Sequence, residues 1–100
     1  MKVLEKYTTE IKQLCKNYKV KKLYAFGSVL TNKFNEKSDI DLVVEFNNIA
    51  INEYADNYFN FKFSLEDILK RPLDLLEENA ISNPYLKESL LKQRQLVYGE

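Results

Sequence analysis

Histidine is absent from this 100-residue sequence, and chemistry that depends on an imidazole is therefore excluded. Without histidine the chain cannot build a Ser-His-Asp triad, a histidine general base or a zinc site with a histidine ligand. Any reaction that the protein catalyses must use carboxylates, hydroxyls, amines, a thiol or a bound metal ion.

Cysteine and long apolar runs are scarce as well. The single cysteine, Cys15, cannot form an internal disulfide, which is typical of proteins in a reducing compartment. No apolar run approaches the roughly 18 residues of a membrane span, and the charges near the N-terminus do not match a signal peptide. We therefore expect a cytoplasmic protein with one domain over residues 1–100, because this length suffices for one core.

Net charge is missing too, since fifteen basic residues balance fifteen acidic ones. This balance makes nucleic acid an unexpected partner, because long nucleic acid is held largely by positive charge. Residues 1–37 nevertheless hold nine lysines and three glutamates, a net charge of +6, and the remainder carries −6. The basic part is either a solvated helix face or a positive field for an anionic ligand. The lysines that would supply this field are Lys12, Lys16, Lys19, Lys21 and Lys22.

Hydrophobic periodicity predicts an α+β fold in the order α-β-α-β-α-β-α-β, with a small mixed sheet packed against helices. The predicted helices span residues 2–18, 28–34, 51–69 and 83–93. The predicted strands span residues 22–26, 39–46, 73–76 and 96–98. Cys15 lies on the apolar stripe of the first helix, which predicts a buried and unreactive thiol.

The second long helix carries a cluster of aromatic residues. Tyr54, Tyr58 and Phe61 fit its apolar stripe, whereas Phe59 and Phe63 lie four residues apart to one side of that stripe. Two interpretations are open for Phe59 and Phe63. They either widen the buried face of the helix or form a patch that contacts another chain.

The sequence Asp39-Ile-Asp41 gives the strongest chemical signal. Both carboxylates belong to a strand that is otherwise apolar, and alternation places them on one face, about 6.6 Å apart along the strand. Two neighbouring anions repel each other, and partial burial increases that cost. Oxygen ligands without nitrogen or sulfur suit Mg²⁺ or Mn²⁺, which would relieve the repulsion. Alternatively, Asp39 caps a turn and Asp41 is solvated.

Gly27 and Ser28 give a second signal, because they lie where a predicted strand becomes a helix. A glycine lets backbone N–H groups approach a phosphate, and a helix N-terminus favours an anion. Asp74 gives a third signal, as the acid within the apolar string from Leu73 to Leu76. It could equally be a surface residue at a strand end, and Glu77 or Glu78 could take its place.

These motifs together resemble the DNA polymerase-beta nucleotidyltransferase superfamily, and within it the minimal nucleotidyltransferase family of antitoxins. The residues that carry the resemblance are Phe26-Gly-Ser28, Ser38-Asp-Ile-Asp-Leu42 and Pro72-Leu-Asp-Leu75. The resemblance covers nearly the whole chain. It implies the nucleotidyltransferase fold, with three aspartates at one edge of a shallow cleft.

The resemblance also implies a reaction, which is two-metal nucleotidyl transfer. Asp39 and Asp41 would hold Mg²⁺, Asp74 would complete the second metal site and help to deprotonate the acceptor hydroxyl, and Gly27 and Ser28 would hold the triphosphate. The implied partner is a toxin of the higher-eukaryote-and-prokaryote nucleotide-binding (HEPN) family. The chain would be its antitoxin and would move AMP from ATP to a tyrosine hydroxyl of that toxin in a hetero-oligomer.

One departure from the family pattern keeps other functions open. Many relatives carry an arginine shortly after the Gly-Ser pair, whereas here Val29 to Asn32 contain none, and Lys33 or Lys37 does not match its position. A non-catalytic subunit that neutralises its partner by occlusion is therefore an alternative. A nucleotidyltransferase for a small molecule or an RNA is another.

Overall fold

The computed structural model describes residues 2–31, 35 and 38–99, without the side chains of Lys2 and Ser28. The helices in this part of the chain are α1 (Lys2–Glu5), α2 (Thr8–Asn17), α3 (Ile51–Leu69) and α4 (Pro84–Gln93). The strands are β1 (Val20–Phe26), β2 (Ile40–Phe46), β3 (Leu73–Glu77) and β4 (Gln95–Tyr98). Short 3₁₀ turns follow β1 at Gly27–Leu30 and β3 at Glu78–Ala80. The expected α+β fold is confirmed.

The strands form one mixed sheet in the order β3-β2-β1-β4. β1 is antiparallel to both of its neighbours, whereas β2 and β3 are parallel. The parallel pair follows from the connection, because α3 carries the chain back to the end of the sheet where β2 began. The end of β1 and the beginnings of β2 and β3 therefore meet at one end of the sheet.

One face of the sheet packs against α2 and α3 and forms the core. The buried strand residues on this face include Leu23, Ala25, Ile40, Leu42, Val44, Leu73 and Leu75. The helices contribute Ile11, Cys15, Phe61, Leu65 and Leu69. The hydrophobic periodicity of α2, α3 and the strands thus predicted the core face correctly, since burial of apolar area drives these contacts.

The second face of the sheet is partly covered by the segment after β3. Val43 lies on this face with Asp41 and is nevertheless 1% exposed. The guanidinium of Arg94 stacks over the ring of Tyr24, at 3.8 Å from its centroid, and forms an ion pair with Glu78. Alternation along β2 correctly placed Val43 on the same face as Asp41. It did not predict that the segment after β3 covers Val43.

Three predicted boundaries are wrong, and one of them is the start of β1, which lies at Val20 and not at Lys22. The helix expected over residues 2–18 is interrupted at Lys6 and Tyr7, because the Thr8 hydroxyl donates to the Glu5 carbonyl at 2.9 Å and competes with the helical pattern. The strand expected from Asp39 begins at Ile40.

The remaining boundaries agree more closely. The helix expected over residues 28–34 is a 3₁₀ turn as far as Leu30, and its end at residues 32–34 lies outside the described residues. Residues 51–69 form α3 as predicted. Asn83 caps α4 as expected, because its side-chain oxygen accepts from the backbone N–H groups of Tyr85 and Leu86. Among the described residues, no helix is both long and apolar enough to cross a bilayer.

The thiol of Cys15 is fully buried in the core, as the sequence predicted. Burial raises its pKa to about 12, because the thiolate would lose its hydration. We expect Ellman's reagent to leave the folded protein unmodified at pH 8 and to react with one thiol after unfolding in urea. Above the ordinary thiol pKa the unfolded chain ionises while the folded chain does not. The free energy of unfolding should therefore fall as the pH rises toward 12, and rapid modification without denaturant would contradict this expectation.

Candidate active site

Three strand ends place the predicted site residues at one end of the sheet. Asp41 on β2 lies opposite Phe26 on β1 in the antiparallel register, so Gly27 follows directly beside it. Asp41 also lies opposite Asp74 on β3 in the parallel register. Residues opposite each other on neighbouring strands share a face and are about 4.8 Å apart. The fold thus brings Gly27, Asp41 and Asp74 together from positions distant in sequence.

Asp41 is the partly buried carboxylate of this group, and Asp39 and Asp74 are exposed. Burial raises the pKa of Asp41, and the negative charge of Asp74 and a hydrogen bond with Asp74 raise it further. The charge of Asp39 makes the smallest contribution in the same direction. Asp41 and Asp74 are therefore two carboxylates whose like charges are held together by the parallel pairing of β2 and β3.

Gly27 is required at its position for two reasons. Its φ of +76° lies in the left-handed region, which other residues rarely adopt. A Cβ atom on Gly27 would lie 2.8 Å from Oδ2 of Asp41, which is too close for any real contact. The absence of a side chain at Gly27 therefore leaves room for the Asp41 carboxylate beside the 3₁₀ turn.

Contacts from α3 fix β3 on both sides of Asp74. The Leu73 N–H donates to the Glu66 carboxylate at 3.2 Å, and the Tyr58 hydroxyl donates to the Leu75 carbonyl. No sequence motif pointed to Glu66, and hydrophobic periodicity placed Tyr58 on the apolar stripe of the helix. Both residues reach β3 across a helix–strand connection, and hydrophobic periodicity carries no signal for such contacts.

Arg71 fixes the approach to Asp39. Its guanidinium donates to the Asn35 and Ser38 carbonyls, each at 3.2 Å, and so joins the start of β3 to the segment before β2. No sequence motif pointed to Arg71, because the two segments that it joins are more than thirty residues apart in the chain. Lys33 and Lys37, considered in place of the missing arginine, lie outside the described residues. Ser28 lies in the turn after β1, and its side chain is not described.

The donor set at this end of the sheet fits a hard divalent cation. Carboxylate oxygens converge there, histidine is absent from the sequence, and Cys15 is buried in the core. Within the described ranges no three acidic, cysteine or histidine side chains form a ready-made metal cluster, and the structure offers the Asp41–Asp74 pair with Asp39 beside it. This suits Mg²⁺, which usually takes one or two protein carboxylates and completes its shell with water and substrate phosphates.

Sequence comparisons agree with this geometry. The family model described as polymerase beta, nucleotidyltransferase matches residues 9–100. The chain is 38% identical over 96 residues to MJ0128 of Methanocaldococcus jannaschii, provisionally named a protein adenylyltransferase, covering 96% of this chain and 90% of that protein. MJ0126 of the same organism, with the same provisional name, is 34% identical over 99 residues, covering 96% of this chain and 90% of that protein.

Solved structures of similar fold include a minimal nucleotidyltransferase and a toxin–antitoxin complex. A protein provisionally described as a minimal nucleotidyltransferase has a TM-score of 0.78 and 26% identity, with 94% of this chain and 92% of that chain covered. A chain from a toxin–antitoxin complex with AMP-PNP has a TM-score of 0.72 and 21% identity, with 93% of this chain and 73% of that chain covered. At 21% identity, the similarity to this second structure shows a shared fold and nothing more.

The family match, the curated relatives and the gathering of Gly27, Asp41 and Asp74 at one end of the sheet therefore agree. The chain belongs to the polymerase beta nucleotidyltransferase family of enzymes, and its match to that family spans residues 9–100.

Proposed function

We propose that the protein transfers AMP from ATP to a hydroxyl of a partner protein, with a tyrosine of a HEPN-type toxin as the acceptor. The observation that carries this proposal is the Asp41–Asp74 carboxylate pair beside the open position at Gly27. In this proposal the enzyme is a single domain in the cytoplasm, and it acts as the antitoxin of its partner.

The chemistry of nucleotidyl transfer fits these residues. Such a reaction depends on alignment and on neutralisation of phosphate charge, so a chain without histidine can perform it. We assign Asp39, Asp41 and Asp74 to metal binding, and Mg²⁺ or Mn²⁺ held there would neutralise charge on the phosphates. We also assign to Asp74 the role of accepting the proton of the acceptor hydroxyl. Gly27 and Ser28 border the space proposed for the triphosphate, where the missing Cβ permits a close approach.

The choice of acceptor is supported by the comparisons. The curated relatives are provisionally named protein adenylyltransferases. One structural neighbour is a complex of a tri-AMPylated HEPN toxin from Shewanella oneidensis with its antitoxin, and its chain has a TM-score of 0.67 and 20% identity to this one. These names motivate a protein acceptor for this chain, and the hydroxyl of tyrosine is the group that we propose to receive AMP.

Two exposed aromatic rings on α3 supply a surface for such a partner. Phe59 and Phe63 are 49% and 57% exposed, so the interpretation that they widen the buried face is wrong. Their rings stack at 6.0 Å between centroids. We call these two residues the phenylalanine patch. Aromatic side chains of this kind often carry the binding energy of protein interfaces.

We expect Phe59→Ser/Phe63→Ser to weaken association with the partner at least about tenfold. The free energy of unfolding should change by less than about 1 kcal/mol, because both rings are exposed. Pull-down titration and thermal melting test the two effects separately. Ile51→Ser is the matched control, since Ile51 is 95% exposed on the same helix and lies outside the patch. Unfolding of the double variant, or unchanged association, would contradict a role in partner binding.

Neutralisation by occlusion is the second candidate function. The phenylalanine patch favours it, because a surface that binds the partner could silence it without any chemistry. The sequence also lacks the arginine that many relatives carry after Gly-Ser. In this case the Asp39→Asn/Asp41→Asn variant would still protect cells fully from the partner.

The deciding experiment incubates the purified protein and Mg²⁺ with a lysate of the source organism and one α-labelled nucleotide: ATP, GTP, CTP or UTP. The Asp39→Asn/Asp41→Asn variant is the control. A single protein band labelled from ATP by the wild type, and not by the variant, would support AMP transfer and give the mass of the acceptor. If no band is labelled although the protein is folded and co-purifies with its partner, neutralisation by occlusion would be favoured over AMP transfer.

A further inference from the structure

A second concave site lies at the end of the sheet opposite the aspartates. Its volume is about 810 Å³, and we call it the lysine cavity. It is lined by Lys12, Val20, Lys21, Lys22, Asn47, Leu96, Val97, Tyr98 and Gly99. Asp41 and Asn47 are six residues apart along and just beyond β2, so about 20 Å separates the two sites. The lysine cavity is therefore distinct from the candidate active site.

An irregularity in β1 brings two adjacent lysines to the lining of this cavity. The register between β1 and β2 shifts between Val20 and Lys22, so that Lys21 is an extra residue in the ladder. Successive residues of a regular strand point to opposite faces, and a β-bulge redirects side chains at the point of insertion. Lys21 and Lys22 consequently line the same cavity although they are adjacent in sequence.

The end of β4 closes over the stem of Lys22. A Cβ atom on Gly99 would lie 3.0 Å from Cγ of Lys22 and 3.3 Å from the Lys21 carbonyl oxygen. The φ of Gly99 is +141°, which also favours glycine. This close approach places the backbone after Tyr98 beside the lysine side chains and so encloses one side of the cavity.

Among the described residues, one ion pair neutralises part of the positive charge of the lysine cavity. Lys21 lies 3.6 Å from a Glu45 carboxylate oxygen. Within the described part of the chain, no carboxylate forms an ion pair with Lys12 or Lys22. The lining residues among the described part of the chain include three lysines and no acidic side chain. Its electrostatic character is therefore opposite to that of the aspartate end.

We propose that the lysine cavity binds a small phosphate-bearing ligand of nucleotide size without a metal ion. Lysine ammonium groups bind phosphate as point charges, and the Asn47 amide adds a polar group at the same site. Val20, Leu96 and Tyr98 supply an apolar and aromatic wall for the remainder of the ligand. The volume matches pockets for small molecules, which typically measure about 300–1,000 Å³. This site does not depend on the proposed transfer reaction.

The test is a titration of the ¹⁵N-labelled protein with AMP and with ATP, in EDTA so that no divalent cation is available. We expect saturable shifts of backbone amide signals around Asn47, Tyr98 and Gly99 in the NMR spectrum. Shifts limited to Gly27, Asp41 and Asp74 would overturn the proposal, as would shifts that never saturate. If a ten-nucleotide RNA binds in the cavity and neither mononucleotide does, the cavity is an RNA site, and the proposal of a ligand of nucleotide size is wrong.

Matched variants separate a defined site from diffuse charge. Lys12→Gln/Lys22→Gln should raise the dissociation constant at least about tenfold, since each lost ammonium removes a charge-assisted contact. Lys62→Gln/Lys87→Gln removes the same charge from residues that do not line the cavity, and we expect less than about a twofold change. Equal weakening by both double variants would show a diffuse electrostatic effect and would overturn the proposal. The amide spectrum of each variant reports directly whether it is folded.

Discussion

Asp41→Asn is expected to lower the rate of nucleotide transfer at least about a thousandfold. The asparagine keeps the shape of the side chain but removes the negative charge at the centre of the site, between Gly27 and Asp74. A metal-assisted reaction depends on that charge, because stabilisation of several kcal/mol in the transition state corresponds to a rate factor of about this size. Single-turnover transfer of labelled AMP to the purified partner measures the effect.

The stability of the same variant provides a check on this interpretation. The pKa of Asp41 is raised by burial and by the charge of Asp74, so the folded state favours the protonated carboxyl. Ionisation of Asp41 therefore costs stability as the pH rises through its folded pKa. Asp41→Asn removes that cost, and we expect a melting temperature at neutral pH no lower than that of the wild type.

An exposed glutamate on α2 serves as the control for Asp41→Asn. Glu10→Gln makes the same change of charge outside the candidate site and on a helix without the phenylalanine patch, and it should retain full transfer. Transfer by Asp41→Asn within about tenfold of the wild type would exclude the assigned role of this carboxylate. A lower melting temperature together with lost transfer would indicate damage to the fold instead.

Gly27→Ala should reduce transfer at least about a hundredfold and lower the free energy of unfolding by about 1–3 kcal/mol. The added Cβ would lie 2.8 Å from Oδ2 of Asp41, and the backbone would be strained at a φ of +76°. Either the Asp41 carboxylate or the turn must move, and the surface that we propose to face the triphosphate changes in both cases. Transfer assays and urea unfolding measure the two effects on the same preparation.

A core variant separates the catalytic effect of Gly27→Ala from its effect on stability. Ile11→Val shortens a side chain that is 2% exposed on α2, a helix without a candidate site residue, and it should lower stability by about 0.5–1.5 kcal/mol. Its transfer activity should stay close to that of the wild type under conditions where the protein is folded. If Ile11→Val and Gly27→Ala lost activity in proportion to their stability, the steric account of Gly27 would be wrong.

The sequence predicted those parts of the molecule that depend on neighbours along the chain. The periodicity of residues 51–69, the Asn83 cap and the alternation of β2 each involve residues within a few positions of one another, and all agree with the structure. Alternation also put Asp41 and Val43 on one face of β2. It could not predict that Val43 is buried, because its cover comes from the segment around Glu78 and Arg94.

The sequence predicted which residues form the candidate site, but it did not predict the contacts that hold the neighbouring backbone in place. Motif spacing singled out Gly27, Asp41 and Asp74, which the parallel pairing of β2 and β3 brings together. The contacts of Arg71 and Glu66 join segments that the fold alone makes neighbours. Periodicity also could not decide whether Phe59 and Phe63 were core or surface, because the width of a buried helical face depends on what packs against it.

The position of β3 at the outer edge of the sheet gives its acidic residues a consequence for solubility. An outer strand can pair through its backbone N–H and C=O groups with a second copy of the chain and begin aggregation. On β3 the Leu73 N–H and the Leu75 carbonyl are already bonded to Glu66 and Tyr58, which reduces this risk. Asp74 and Glu77 place negative charge along this strand, so two such edges repel each other at neutral pH. The same carboxylate that we assign to metal binding thus also protects the protein against edge-to-edge association.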